Sequence, residues 1–520
     1  HILGCAVLAL GFFSALPAQA QTAVGTYTAL QTAVANGDAS IQLNANILDG
    51  ATELTIVSDL VLDLNGYSLT IELDAPTGAT SNGIKIDSGV TLTIMDSSPG
   101  ANALTVTNGV DLANQPLNGS NPNCGAAINS SEGTLIINSG TVNATGGVYA
   151  ASIGGGIYSN GGTVVINGGT VTAHGGGSAA GIGGAYQGDG GTITINGGTV
   201  DATGGLYGAG IGSSGGNSGI IMITGDAVVA SSGGDGGAGI GGGSVNSISI
   251  DTTGTVTATG GTSGGSSGAA IGRRSNLGGA GISNVTHPTA ANVTTPATAS
   301  FNITVAAVGA TPPTLAYQWE VSTGGAFTNV TDGTGGTTTG YTTAATTLAM
   351  SGYQYRNVIT ASNVNGDGTG TITYVTHPAT LTVNAASVIA SASIDVTAPA
   401  TGAAPNATVT ACGTDFVCSA VTWAPNDNPF QAGTQYTATI TLTASAGYTF
   451  TGLAAATING NAANVISNTG NTVTLSYQFM ATSPLATRLT TSIPVLSPVG
   501  LVLLALALGG LAFRQGRRSA

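Results

Sequence analysis

The sequence predicts an all-β chain: a parallel β-helix over residues 21–285, two β-sandwich modules over 286–384 and 385–482, and a C-terminal apolar helix. Three observations lead there. A unit of about 29 residues recurs through the first half. Glycine accounts for 84 of 520 residues, or 16 % (84/520), against roughly 7 % in ordinary proteins. Charged residues make up only 6 %, where about 25 % is usual. Nucleic-acid binding is excluded on that ground, because phosphate affinity needs clustered Lys and Arg and the only lysine is Lys85. So many glycines disfavour a helical bundle. No Gly-X-Y period supports collagen, and the short alternating apolar runs are unlike a disordered coil.

Residues 1–20 come first. The apolar stretch 2–20 ends in Ala18-Gln19-Ala20, the pattern of a secretory signal peptide with its small-residue cleavage site. Cys5 precedes most of that run, so it is not placed as a lipoprotein cysteine.

Next, Tyr27 to Ala35 reads as a short amphipathic helix, followed by a strand at 41–43. A helix over the open first coil would block edge pairing. Residues 60–66 and 90–94 alternate like strands.

The repeat then becomes regular. Strand signals begin at Thr134, Thr163 and Thr192, with weaker copies at Ile220 and Ser247. A second signal follows each, at 140–142, 169–171, 198–200, 226–228 and 254–256. A third centres on Ile153, Ile182, Ile211, Ile240 and Ile271. Three short strands per unit, separated by glycine turns, describe one coil of a parallel β-helix. Each strand pairs with its equivalent one coil on, about 4.8 Å away. Equivalent isoleucines stack inside, and Asn138, Asn167 and Asn196 are expected to bond along one corner.

The ordering of helix, strands and coils resembles the right-handed, pectate-lyase-like β-helix proteins. The Gly-rich units resemble those of bacterial surface and carbohydrate-binding β-helix proteins. That resemblance implies a fold and leaves the function open, since β-helices host lyases, hydrolases, adhesins and inert stalks.

After Arg273-Arg274 the composition turns Thr- and Val-rich with aromatics. Residues 286–384 resemble a bacterial Ig-like domain: Tyr317-Gln318-Trp319 fits a strand with its core tryptophan, and Tyr355 falls at the tyrosine-corner position. Asn357 stands where the usual cysteine would be, so the resemblance comes without the intersheet disulfide. Residues 385–482 read as a second sandwich, similar to repeat modules of bacterial surface proteins. Cys412 and Cys418 are either a local disulfide or two thiols in a hairpin. Cys124 reads as a buried cysteine. Residues 483–492 are a linker.

Ile493 to Phe513 carries no charge over 21 residues and is long enough to span a bilayer. Arg514, Arg517 and Arg518 follow, which keeps that tail cytoplasmic and the bulk of the chain outside. The segment 493–520 resembles the IPTL-CTERM sorting signal of Gram-negative bacteria. Ile493, Pro494, Leu496, Ser497 and Gly500 match its pattern, whereas Val495, Pro498 and Val499 depart from it. The resemblance implies recognition by an exosortase-type sorting protease. Without its two ends the chain holds 22 acidic and five basic residues, a net of −17.

Chemistry has little to stand on. A β-helix lyase needs a base and acid-bound Ca²⁺, yet the coils offer Lys85 and then no Lys or Arg until Arg273. A glycoside hydrolase needs two convergent carboxylates, and Glu132, Asp189, Asp201, Asp226, Asp235 and Asp251 are scattered. His174, His287 and His377 stand apart in the sequence. No Cys/His cluster points to zinc, and no cofactor or catalytic residue is expected. The binding reading rests on tyrosines. Tyr149 and Tyr207 hold equivalent positions two coils apart, about 10 Å, with Tyr158 and Tyr186 near the same corner. Such a strip could stack on sugar rings or merely cover the coil edge. The expectation is an exported, membrane-anchored surface protein with a structural or adhesive role, meeting extracellular polysaccharide or a host surface. Polysaccharide binding is the alternative, and a polysaccharide lyase or glycoside hydrolase the third reading.

Overall fold

The computed structural model describes residues 21–73, 81–98, 100, 102–108 and 124–484. The predicted signal peptide, the sorting segment with its apolar helix, and linker residues 485–492 lie outside the described residues. Among the described residues, no helix is long and apolar enough to cross a membrane. Two compact units divide after Ala385.

The first unit opens as a parallel β-helix with three faces. On the regular coils the first face is built from Thr134–Ile137, Thr163–Ile166, Thr192–Ile195, Ile220–Gly225 and Ser247–Thr252, paired in parallel. The second runs from Thr141–Thr145 through Thr170–His174, Thr199–Thr203 and Val228–Ser232 to Val256–Thr259. The third is narrow: Ile153–Gly154, Ile182–Gly183, Ile211–Gly212, Ile240–Gly242 and Ile271–Arg273. Alternation explains the interior. Leu135, Val164, Ile193, Ile221 and Ile248 stack in register, as do the five third-face isoleucines, and all are buried. Each buried branched side chain contributes about 1.5–3 kcal/mol, and every coil gives it only to its neighbours.

The third face can be so narrow because its outer residue is glycine. Gly154, Gly183, Gly212, Gly241 and Gly272 all have φ between 127° and 144°. A methyl group on any of the first four would overlap the carbonyl oxygen of the next glycine in the ladder. At the corner after the first face, Asn167 Nδ2 donates to Asn138 Oδ1 and Asn196 Nδ2 to Asn167 Oδ1, both at 2.8 Å. Asn196 Oδ1 then accepts from Thr224 Oγ1 at 2.8 Å, which ends the ladder.

Both ends of the helix are covered. At the start, Tyr27–Ala35 forms the only α-helix of the described residues. Thr26 caps it by accepting from the Ala29 N–H, and the helix buries Tyr27, Leu30, Ala33 and Val34 against the first coil. At the far end, Thr371–Val375 pairs in parallel with Ser247–Ile250, so the last complete coil continues into the following strands. Thr314–Ser322, Gln354–Ser362 and Thr371–Val375 extend this same sheet antiparallel. The third face ends likewise: Ile271–Arg273 pairs with Gly281–Ser283, which pairs with Ala306–Val308. Side chains fasten the seam. Asn365 bonds both the N–H and the C=O of Val245 at 2.8 Å. Arg273 donates to the carbonyls of Gly243 and Asn365. Arg356 reaches Glu320 at 2.8 Å and Asp251 at 3.4 Å.

Residues beyond the seam build a core from Phe301, Trp319, Tyr341 and Tyr355, whose rings lie 4.6–6.3 Å apart. Trp319 Nε1 donates to the Thr338 carbonyl at 2.9 Å. Tyr355, expected at the tyrosine corner, is buried in this stack. The hydroxyl that bonds back to upstream backbone is that of Tyr341, on the Asp332 carbonyl at 3.1 Å. Burial pushes both phenols up, Tyr355 to about 12.

His287 and His377, ninety residues apart, stack at 3.9 Å. His287 Nδ1 accepts from the His377 backbone N–H at 2.9 Å, and His377 Nε2 donates to the Gly254 carbonyl at 2.8 Å. Tyr374 is the other ring beside His287. Burial first, and the facing His377 second, hold the His287 pKa below its usual value. The unfolded chain therefore takes up this proton before the folded one does. Stability is complete above about pH 6.5 and falls as pH drops towards the folded pKa. The first unit should thus lose thermal stability between about pH 7 and pH 5, and His287→Asn should shrink that loss; equal slopes in the two proteins would refute it.

The described residues of the second unit form β-strands and loops. Thr437–Ala444 and Thr472–Gln478 pair at the centre of one sheet, flanked by Phe416–Cys418, Thr422–Ala424 and Asn464–Asn468. Ser391–Val396, Val409–Ala411 and Ala455–Ile458 form another. Trp423, Phe430, Tyr436 and Phe450 fill the core. Of the two states open for Cys412 and Cys418, the structure has the disulfide.

Candidate functional site

Each regular coil carries a turn on either side of the narrow third face. The turn before it closes by Ala150 N–H to Gly147 C=O, and in later coils by Gly208 to Gly205 and Gly237 to Gly234. The turn after it closes by Ser159 to Gly156 and by Gly188 to Ala185. The third residue of these turns is left-handed. Gly236 fills it with φ 76°, the residue that does so without steric penalty. Yet Tyr149, Tyr158 and Tyr207 sit there with φ 66°, 61° and 60°. Left-handed backbone at an L-residue costs roughly 1–2 kcal/mol. In a chain so rich in glycine, three tyrosines at such positions are an outlier, and backbone strain of this kind gathers at functional sites.

The structure brings three of the four expected tyrosines together. Tyr149 and Tyr186 have ring centroids 5.3 Å apart, and Tyr158 and Tyr186 5.9 Å apart. The Tyr186 N–H donates to the Tyr149 carbonyl at 3.0 Å, tying the two rows of turns. Tyr158 stands out, 65 % exposed. Tyr207 does not join this cluster. Its ring covers Gly236 and reaches the neighbourhood of Ser275.

Sequence reasoning missed one member. Arg274 served there only as a boundary mark. In the repeat register it follows Ile271-Gly272-Arg273 and so opens the turn after the third face, as Gly156 does after Ile153. Aligning the coils on their isoleucines would have found it. Its guanidinium lies within electrostatic reach of the Tyr186 and Tyr207 phenols.

A second group was also missed. Glu53, Lys85 and Glu132 line one depression of about 390 Å³ with Asn82 and Asn129 on early coils. Two of its charges are already engaged. Glu53 accepts from the Asn82 N–H and Nδ2 and from Thr55, and Lys85 pairs with Asp87 at 3.0 Å. Burial pushes up the thiol of neighbouring Cys124. Irregular spacing of these coils hid the convergence from the sequence.

Two family models match the chain. One, described as a beta helix repeat, covers residues 135–157, 164–186 and 193–216, which hold Tyr149, Tyr186 and Tyr207. The other, described as the IPTL-CTERM motif, covers residues 491–518, and with them every sorting residue named above. No curated protein matches. The beta-helix repeats agree with the coils, and the IPTL-CTERM motif implies a surface-sorted protein processed at its C-terminus.

Proposed function

We propose that the chain is an exported structural and adhesive protein of the cell envelope, and that it works by binding rather than catalysis. The observation that carries this is the IPTL-CTERM match at 491–518 downstream of a stacked β-helix. In this reading residues 1–20 direct export, the apolar run 493–513 holds the chain in the membrane with Arg514, Arg517 and Arg518 inside, and an exosortase-type protease acts there. The Ig-like likeness of 286–384 and the sandwich 385–482 fit a surface-protein organisation. Protease added to intact cells should remove the folded chain, and deleting residues 491–520 should send it into the medium. Recovery of the protein from the cytoplasm alone would end the proposal.

Polysaccharide binding is a second reading, favoured by one observation: three tyrosines hold left-handed turn positions where glycine would be unstrained. Rings fixed on a rigid backbone offer flat apolar faces at little entropic cost, which suits stacking on sugars.

A further inference from the structure

Tyr149, Tyr158 and Tyr186 put three phenols in ring contact across two coils. Tyr149 and Tyr158 belong to the coil that opens at Thr134, and Tyr186 to the next, which opens at Thr163. Tyr149 and Tyr186 are held close in two ways. Their ring centroids lie 5.3 Å apart with the planes tilted by 51°, and the Tyr186 N–H donates to the Tyr149 carbonyl at 3.0 Å. That separation is not far above the centre-to-centre distance of two directly bonded rings. Tyr158 meets Tyr186 at 5.9 Å, edge to face. Access differs among the three: Tyr158 is 65 % exposed, whereas Tyr149 and Tyr186 are half-buried. Drift of the rings is limited, because Tyr149 and Tyr158 stand at left-handed positions of turns closed by Ala150 N–H to Gly147 C=O and Ser159 N–H to Gly156 C=O.

The coils lack a covalent tie. Each is held by its neighbours alone, so opening can spread from one coil to the next. Residues 21–285 hold a single cysteine, Cys124, so no disulfide can join one of these coils to another. A bond between Tyr149 and Tyr186 would bridge 37 positions (186 − 149) and restrict the unfolded chain as a disulfide does.

We propose that Tyr149 and Tyr186 are an oxidative cross-linking site, joined by hydrogen peroxide and a haem peroxidase into a dityrosine that staples two coils, with Tyr158 as the phenol at which the oxidant enters. A peroxidase cannot close on a half-buried ring, but Tyr158 stands clear of the surface, and rings in contact pass an electron on. In the net reaction the two phenols give up one electron and one proton each to the peroxide. Its O–O bond breaks and both oxygens leave as water. The two phenoxyl radicals form a carbon–carbon bond between positions ortho to their hydroxyls. The hydrogens on those carbons move to the oxygens, which restores both phenols.

The test treats the purified full-length chain, dilute enough that chains rarely meet, with equimolar hydrogen peroxide and a catalytic amount of a haem peroxidase. The product should be a monomer with dityrosine fluorescence, lighter by the two hydrogens removed, from which proteolysis releases the Tyr149 and Tyr186 peptides joined. Tyr149→Phe and Tyr186→Phe keep the ring and its packing without the phenol, and each should lose the fluorescent monomer. Wild type oxidised in urea should lose it too, which ties the yield to the fold. Tyr158→Phe should give the same product more slowly; an unchanged rate would overturn its part as the entry point. Oxidised wild type should unfold a few degrees above oxidised Tyr149→Phe, and equal midpoints would overturn the staple. A fluorescent monomer from Tyr149→Phe, joined peptides that carry Tyr158 in place of Tyr149, or dityrosine found only between chains would each overturn the assignment.

Discussion

Gly183→Ala should unfold the β-helix or come close to it. The added methyl would enter the carbonyl of Gly212 in the next coil, and φ at this position is 127°. Overpacking and backbone strain each carry about 1–3 kcal/mol. Together they consume much of the roughly 5–15 kcal/mol by which a domain is stable. No side chain can move aside, because the obstacles are the backbones of Gly212 and Gly190. Gly89→Ala provides the comparison. Its φ is 74°, but nothing lies within 4 Å of the added carbon, so the cost should be about 1 kcal/mol. Urea unfolding of the two variants should separate them by several kcal/mol. Matching midpoints would show that the glycine ladder is ornamental.

Ending the chain at residue 285 should give concentration-dependent oligomers, whereas ending it at 385 should not. The shorter chain loses Thr371–Val375 from the edge of Ser247–Ile250, and Ala306–Val308 from the edge of Gly281–Ser283. Two rows of backbone donors and acceptors are then bare, with Ile248 and Ile250 beside them. Such an edge recruits another strand. Sedimentation at two concentrations decides it: a concentration-independent monomer for the shorter chain would mean that the seam is not a cap. Binding studies of the coils accordingly belong with residues 21–385, not 21–285.

How much of this could be read in the sequence depends on what repeats. The regular coils were legible because every residue in them has a partner about 29 positions away, so Ile153, Ile182 and Ile211 announce one another. The Asn138–Asn167–Asn196 ladder was legible for the same reason. The seam was not. Val245 meets Asn365 across 120 residues, between a coil and a strand that share no motif, and no period marks that contact. His287 and His377 looked unrelated on the same account. The tyrosine site falls between. Equivalence of Tyr149 and Tyr207 was plain, but Tyr186 sits one place before the left-handed turn residue, which is Gln187. Its approach to Tyr149 depends on turns from two sides of a face leaning together, which linear register does not show. Arg274 hid because the last coil is two residues longer than its predecessors.

The capped stack has a genetic consequence. Because each coil touches only its neighbours and both ends are closed by segments outside the regular repeat, an in-frame gain or loss of one 29-residue unit leaves every kind of interface intact. Each event would lengthen or shorten the stack by the height of a single coil, making the number of repeats an inherited ruler for its length.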